Sequence, residues 1–314
     1  MIGLTDLGKL VHSLVPAVAL IIDNVSASTV KRPLQRQERG GQGSVWGPIA
    51  GTLTVAVGVV AVLALVLVRT RTGSRYDHDA EWALGGPPWL FVNIEARLQQ
   101  VSVTAVGTVG LLLAGVAVLR RRVGLAVGIL VLVGGATVST QVLKKYVIQA
   151  LPGNLPNSMP SGHATVGISL SLAALLALPV AWQRFVLPVC AAIGFFFGAG
   201  TVIGHWHHPG DVLAALAVCV AWAAVALGVA HVLDNRIGGD PPQLTPAALS
   251  PAAARWLTLV GIALVCLLFL AWGAQPSRYV LRDITLGIGA VLAVAVGSLL
   301  VYARVARLAQ RILR

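Results

Sequence analysis

Two short histidine-bearing segments stand in an otherwise apolar stretch of this chain: Pro160-Ser161-Gly162-His163 and His207-His208-Pro209-Gly210-Asp211. Asp211 is the single acidic residue between Ala96 and Leu233. It follows His207 by four residues, and Pro209-Gly210-Asp211 reads as a turn with Asp211 near the start of the next helix. A carboxylate that orients one imidazole, with a second imidazole nearby, is the equipment of a histidine nucleophile and a general acid. Gly162 lets backbone come close to a ligand. Ser161 reads as the cap of a helix whose first amides point at a bound anion, with His163 in its first turn. Lys144 and Lys145 end the preceding apolar run, where they can snorkel to the interface. Together these groups point to phosphoryl transfer at a membrane surface. The spacing of His205, His207 and His208 also invites a metal reading. No cysteine, and no acid besides Asp211, lies near them in sequence, so neither a metal ligand set nor a cofactor is assigned.

These residues need elements to hold them, and composition says what those are. The 314-residue chain is 57% hydrophobic and 11% charged, with a mean hydropathy of +0.84, which places it among integral membrane proteins. The apolar mass is Ala, Val, Leu and Gly, suited to close helix packing in lipid. Long uncharged runs predict eight spans: Trp46–Val68, Val101–Leu119, Val123–Leu143, His163–Trp182, Phe185–Gly204, Val212–Leu233, Leu257–Ala274 and Ile284–Ala303. The predicted fold is an all-α polytopic helix bundle with no separate soluble domain. Leu10–Ile22 is too short to span and reads as an interfacial amphipathic helix within an N-terminal segment 1–44. Cys190, Cys219 and Cys266 fall inside apolar runs without paired spacing and read as small buried residues.

The net charge of +12 lies between the apolar runs, where it serves topology and anionic headgroups rather than nucleic acid, for which no motif is present. With the N-terminus inside, most of the 23 Lys and Arg residues are cytoplasmic, Arg120-Arg121-Arg122 among them as a topology signal. Both histidine segments then face outward on a shared side. The expected setting is the plasma membrane of a bacterium, with both termini cytoplasmic. Tyr76–Gln100 is the longest outer loop; its aromatics suggest an interfacial segment or lid, and Asp77, Asp79 and Glu81 read as solvated loop acids. Arg75, just before that loop, or Arg97 within it is a candidate cation to reach in toward the site.

The motifs, in order, resemble those of the type 2 phosphatidic acid phosphatase family: Lys-x6-Arg-Pro, then Pro-Ser-Gly-His, then Ser-Arg-x5-His-x3-Asp. Here Lys144 and Pro152 match the first, Pro160–His163 the second, and His207 with Asp211 the third. The resemblance covers roughly Val101–Leu233. It implies a six-span phosphatase-like core, here over 45–233; the Pro- and Ala-rich stretch 234–256 reads as a cytoplasmic loop and 257–314 as an accessory two-helix hairpin with a basic tail. It implies His207 as nucleophile, Asp211 as its partner and His163 as proton donor to the leaving group. Lys144, Ser161 and Gly162 would hold phosphate oxygens, no metal would be needed, and the substrate would be a membrane lipid.

Two positions depart from the family pattern: its motif arginines are replaced by Leu151 and Thr201. A charge-assisted hydrogen bond contributes about 1.5–3 kcal/mol, so two uncompensated losses would strongly depress turnover. Lys145 and His205 are available substitutes. Two functions therefore follow. One is a lipid phosphatase acting on a polyprenyl or glycerolipid phosphate or pyrophosphate at the outer leaflet. The other is a catalytically impaired relative serving as a lipid-binding or scaffold subunit beside a protein partner in a membrane complex. A transporter is disfavoured because the spans carry almost no charge.

Overall fold

The computed structural model describes residues 44–83, 102–237 and 281–313, and among these the chain is helical with no strand. We number the helices α1 (Trp46–Leu63, extended by a π-helical turn Ala64–Val68), α2 (Arg71–Trp82), α3 (Val103–Leu119), α4 (Val123–Val142, extended by a π-helical turn Leu143–Val147), α5 (Gly162–Ala177), α6 (Val180–Ile203), α7 (Pro209–Ile237) and α8 (Leu281–Ile312). Among the described residues, five segments are long and apolar enough to cross a membrane: Trp46–Val68, Val123–Val147, Phe185–Ile203, Pro209–Ile237 and Leu286–Ile312. Thr104–Leu119 and Gly162–Ala177 are shorter apolar helices. The protein is a multi-pass membrane helix bundle. The N-terminal helix expected at Leu10–Ile22, the distal half of the outer loop with Arg97, and the span expected at Leu257–Ala274 lie outside the described residues.

Helix α7 is the axis of the bundle, buried along most of its length. Helix α4 packs on it through small residues. A Cβ at Gly128 would stand 2.5 Å from the Ala226 carbonyl, and one at Gly124 would stand 2.8 Å from that of Ala230, so this Gly-x3-Gly face lets the two backbones touch. Helix α8 enters the same core. Its Tyr302 is fully buried and bonds to Ser171 of α5, while Arg304 donates to the Pro48 carbonyl (2.9 Å) and Thr52 Oγ1 (2.8 Å) of α1.

Local chemistry sets the boundaries, and several differ from those the hydropathy predicts. The fourth span ends at Ala177 instead of Trp182, because Leu178 precedes a proline and is held extended. Trp182 therefore belongs to α6, which starts after Pro179. The acidic segment expected as solvated loop is helix α2, capped by the Thr70 hydroxyl on the Gly73 amide at 2.9 Å. Asp77 and Glu81 are turned inward on it, and the Glu81 side chain is only 7% exposed. Of the three consecutive arginines, Arg120 donates to the last carbonyl of α5, and Arg122 donates to the Leu313 carbonyl at 2.5 Å and pairs with Asp234 at 3.8 Å. These two arginines close helix ends.

Candidate active site

The π-helical turn at the end of α4 carries Lys144 and Lys145, and the chain then runs to Pro160 without regular structure. Asn157 knits this loop. Its side-chain amide donates to the carbonyls of Ile148 (2.6 Å) and Lys144 (3.2 Å), and its Oδ1 accepts from the Met159 amide at 3.0 Å. Ser161 follows, extended and fully buried, and its hydroxyl accepts from the Ala164 amide at 3.3 Å to start α5. The Ser161 amide donates to the Asp211 carbonyl at 3.1 Å, which ties the start of α5 to the start of α7.

Helix α6 ends at Ile203, and the turn that follows places His205 in the left-handed region, φ +54°. The Thr201 carbonyl accepts from the amides of Trp206 (3.0 Å) and His207 (3.2 Å), folding this turn back. Pro209 opens α7, a position where its missing N–H costs nothing. Asp211 thus lies in the first turn, with Oδ2 3.1 Å from His207 Nδ1. The same oxygen accepts from the His208 amide at 3.1 Å and from the Ser158 hydroxyl. With Nδ1 engaged, Nε2 is the ring nitrogen of His207 left to react.

Lys144, Gly162, His163 and His207 line one cavity of about 340 Å³, with Gln141 and Thr140 beside them and Val106 and Val166 along its apolar wall. Trp206 packs on His163 with ring centroids 5.0 Å apart. The remaining expected binding residues stand elsewhere. Lys145 is exposed, Ser161 serves as the cap behind Gly162, and His205 is stacked on Trp82 at 4.3 Å with Nδ1 3.6 Å from Glu81. Neither arginine replacement lines the cavity. Leu151 is 44% exposed, and Thr201 is fully buried with its hydroxyl bonded back to the Gly198 carbonyl at 2.8 Å.

Sequence spacing missed Ser158, Asn157 and Gln141. Gln141 precedes Lys144 by three residues on one helical face, a signal that was available. It also missed the contribution of α2. Asp77 Oδ1 accepts from the Gly210 amide at 2.9 Å, at the open N-terminus of α7. Burial pushes the Asp77 carboxyl up to about 7, against the opposing pull of that hydrogen bond. His208 is shifted the other way from its own burial: burial disfavours its charge, but the hydrogen bond to Asp211 and the carboxylates of Asp211, Asp77 and Glu81 outweigh it and raise its pKa. Around Glu81 stand His208 Nε2 at 3.3 Å and His78 Nδ1 at 3.7 Å.

The family model of the PAP2 superfamily matches residues 53–233, more than half of the chain, including every residue of the cavity. The chain belongs to the PAP2 superfamily. No curated protein and no solved structure matches it. This PAP2 protein is therefore a phosphatase-type membrane protein, and the match covers α2 together with the bundle around the cavity.

Proposed function

We propose that this PAP2 protein hydrolyses the phosphate or pyrophosphate of a lipid, of polyprenyl or glycerolipid type, at the outer leaflet of a bacterial plasma membrane. The observation that carries the reading is the shared cavity: two imidazoles and one ammonium open onto it, and one of those imidazoles is backed by a buried carboxylate. His207 Nε2 attacks phosphorus, forming an N–P bond as the P–O bond to the leaving group breaks. Asp211 holds the ring and offsets the charge that develops on it. His163 passes its proton to the departing lipid oxygen. Water then attacks the phosphohistidine, giving its proton to His163 and releasing phosphate and free His207. Lys144 and the Gly162 amide meet the non-bridging oxygens, with Gln141 beside them. The apolar wall at Val106 and Val166 suits the lipid chain.

A second reading has its own support. Among the described residues no arginine lines the cavity, and Lys144 is the Lys/Arg cation that does. A weakened anion site suits a PAP2 relative that binds lipid, or scaffolds a protein partner, without turnover. Phosphate release by purified protein in nanodiscs separates the two. Polyprenyl pyrophosphate, polyprenyl phosphosugar and phosphatidic acid are assayed beside His207→Ala. Release that disappears in the variant supports the hydrolase, and release no greater than the variant's from every lipid supports the binding subunit.

A further inference from the structure

Glu81 presents an unusual problem of charge. It is a nearly buried carboxylate with three imidazoles against it: His208 Nε2 at 3.3 Å, His205 Nδ1 at 3.6 Å and His78 Nδ1 at 3.7 Å. A buried carboxylate requires a compensating positive charge. We propose that His78, Glu81 and His208 form a binding site for a zinc-type divalent ion that clamps helix α2 to the turn between α6 and α7.

The donor set and its geometry support this. Two imidazole nitrogens and one carboxylate oxygen are the ligands such an ion takes, and a three-residue set leaves a fourth position for water. The three ligand atoms lie within 4.8 Å of one another. Metal–ligand bonds of about 2.0–2.1 Å in a tetrahedron set neighbouring ligand atoms about 3.3 Å apart. Glu81 Oε2 stands 3.3 Å from His208 Nε2 and 3.7 Å from His78 Nδ1, so an ion fits with small side-chain adjustments. His78 and Glu81 are three residues apart on α2 and share a face.

Outer contacts orient the ligands as metal sites require. His208 Nδ1 lies 3.2 Å from Ser158 Oγ and 3.6 Å from Asp211 Oδ2, leaving Nε2 toward Glu81. The alternative grouping of Asp77, His208 and Asp211 is poorer. Asp77 Oδ1 is taken by the Gly210 amide, and Asp211 Oδ2 by His207, Ser158 and the His208 amide. The ion would be a positioning clamp, joined through His208 to the carboxylate behind His207, and it takes no part in phosphoryl transfer. The site stands whether or not the protein turns over a lipid.

The test is zinc binding by the tag-free full chain in detergent, read as metal retained after desalting and by titration with Zn²⁺ and Co²⁺. The expected result is about one zinc per chain and a visible Co²⁺ absorption typical of four-coordinate nitrogen and oxygen ligands. His78→Ala and Glu81→Gln should each weaken binding about tenfold or more. His231→Ala, a histidine on the long α7 helix far along from Asp211, should leave it unchanged. The His78 side chain is 41% exposed, so its removal leaves a folded protein that elutes like the parent and decides the matter even if Glu81→Gln does not fold. No retained zinc, equal affinity in His78→Ala, or an equal loss in His231→Ala would each overturn the site.

Discussion

Ser158 donates a hydrogen bond to Oδ2 of Asp211, the same oxygen that stands 3.1 Å from His207 Nδ1. The loop before the Pro-Ser-Gly-His segment thereby helps to hold the carboxylate that aims His207. A hydrogen bond to an ionised group contributes about 1.5–3 kcal/mol. Ser158→Ala should lower kcat for lipid phosphate hydrolysis by about tenfold to a hundredfold with little change in KM, because the bond acts on the charge developing at His207. An unchanged kcat would reduce Ser158 to a loop-packing residue.

Lys144 and Lys145 are neighbours with different surroundings. Lys144 lines the cavity, and Lys145 is exposed on the π-helical turn. Lys144→Ala should cost on the order of a hundredfold in kcat/KM through the lost charge on phosphate oxygens, whereas Lys145→Ala should stay within about threefold. Steady-state phosphate release from both variants checks this, and equal losses would place the anion site elsewhere.

Gly134 and Gly135 offer a paired stability test. A Cβ at Gly135 would stand 2.4 Å from the Trp222 ring, which is pinned by its indole N–H on Ser139 Oγ at 2.9 Å. A Cβ at Gly134 meets nothing within 4 Å. Gly135→Ala should destabilise by about 1–3 kcal/mol through overpacking, seen as a lower apparent Tm. Gly134→Ala should be neutral or stabilise by up to about 1 kcal/mol through helix propensity. A similar Tm for both would mean that α4 and α7 are less tightly apposed than described.

At the opposite end of α4 from Lys144, Arg122 joins three elements. It pairs with Asp234 of α7 and donates to the Leu313 carbonyl beyond α8, while Asp234 Oδ1 accepts from the Gly124 amide at 2.7 Å. Arg122→Ala should speed amide exchange in the last turn of α8, with a stability loss of about 1–3 kcal/mol. Arg121 has φ +57° and is exposed, so Arg121→Gly should be neutral or stabilising. Hydrogen–deuterium exchange on the two variants distinguishes an anchoring arginine from a strained one.

What could be read in the sequence follows the range over which sequence spacing carries geometry. His207 and Asp211 are four residues apart across the short turn that opens α7, so local chain geometry sets their meeting. Ser161 before a helix is a cap by local chemistry. Uncharged runs give the apolar helices because lipid demands them, and the motifs at Lys144, Gly162–His163 and His207 fall at the ends of those helices, around one cavity. The boundary at Leu178–Pro179 was legible too, but the hydropathy of a continuous apolar run hid it.

By itself, the sequence determined an all-α membrane bundle, the His207–Asp211 pair and the order of the motif residues, since each rests on hydrophobicity or on contacts within a turn. Tertiary structure alone decided the surroundings of that pair. Asp77 reaches Gly210 across 133 residues, Ser158 reaches Asp211 across 53, and Glu81 finds three histidines only when α2 folds over the turn after α6. A polar helix with no apolar stripe reads as a solvated loop, because its periodicity signals burial only once its partners are in place. The same packing left Lys145 exposed while Lys144 lines the cavity, and the left-handed backbone at His205 in the turn after α6 accompanies a side chain set against Glu81.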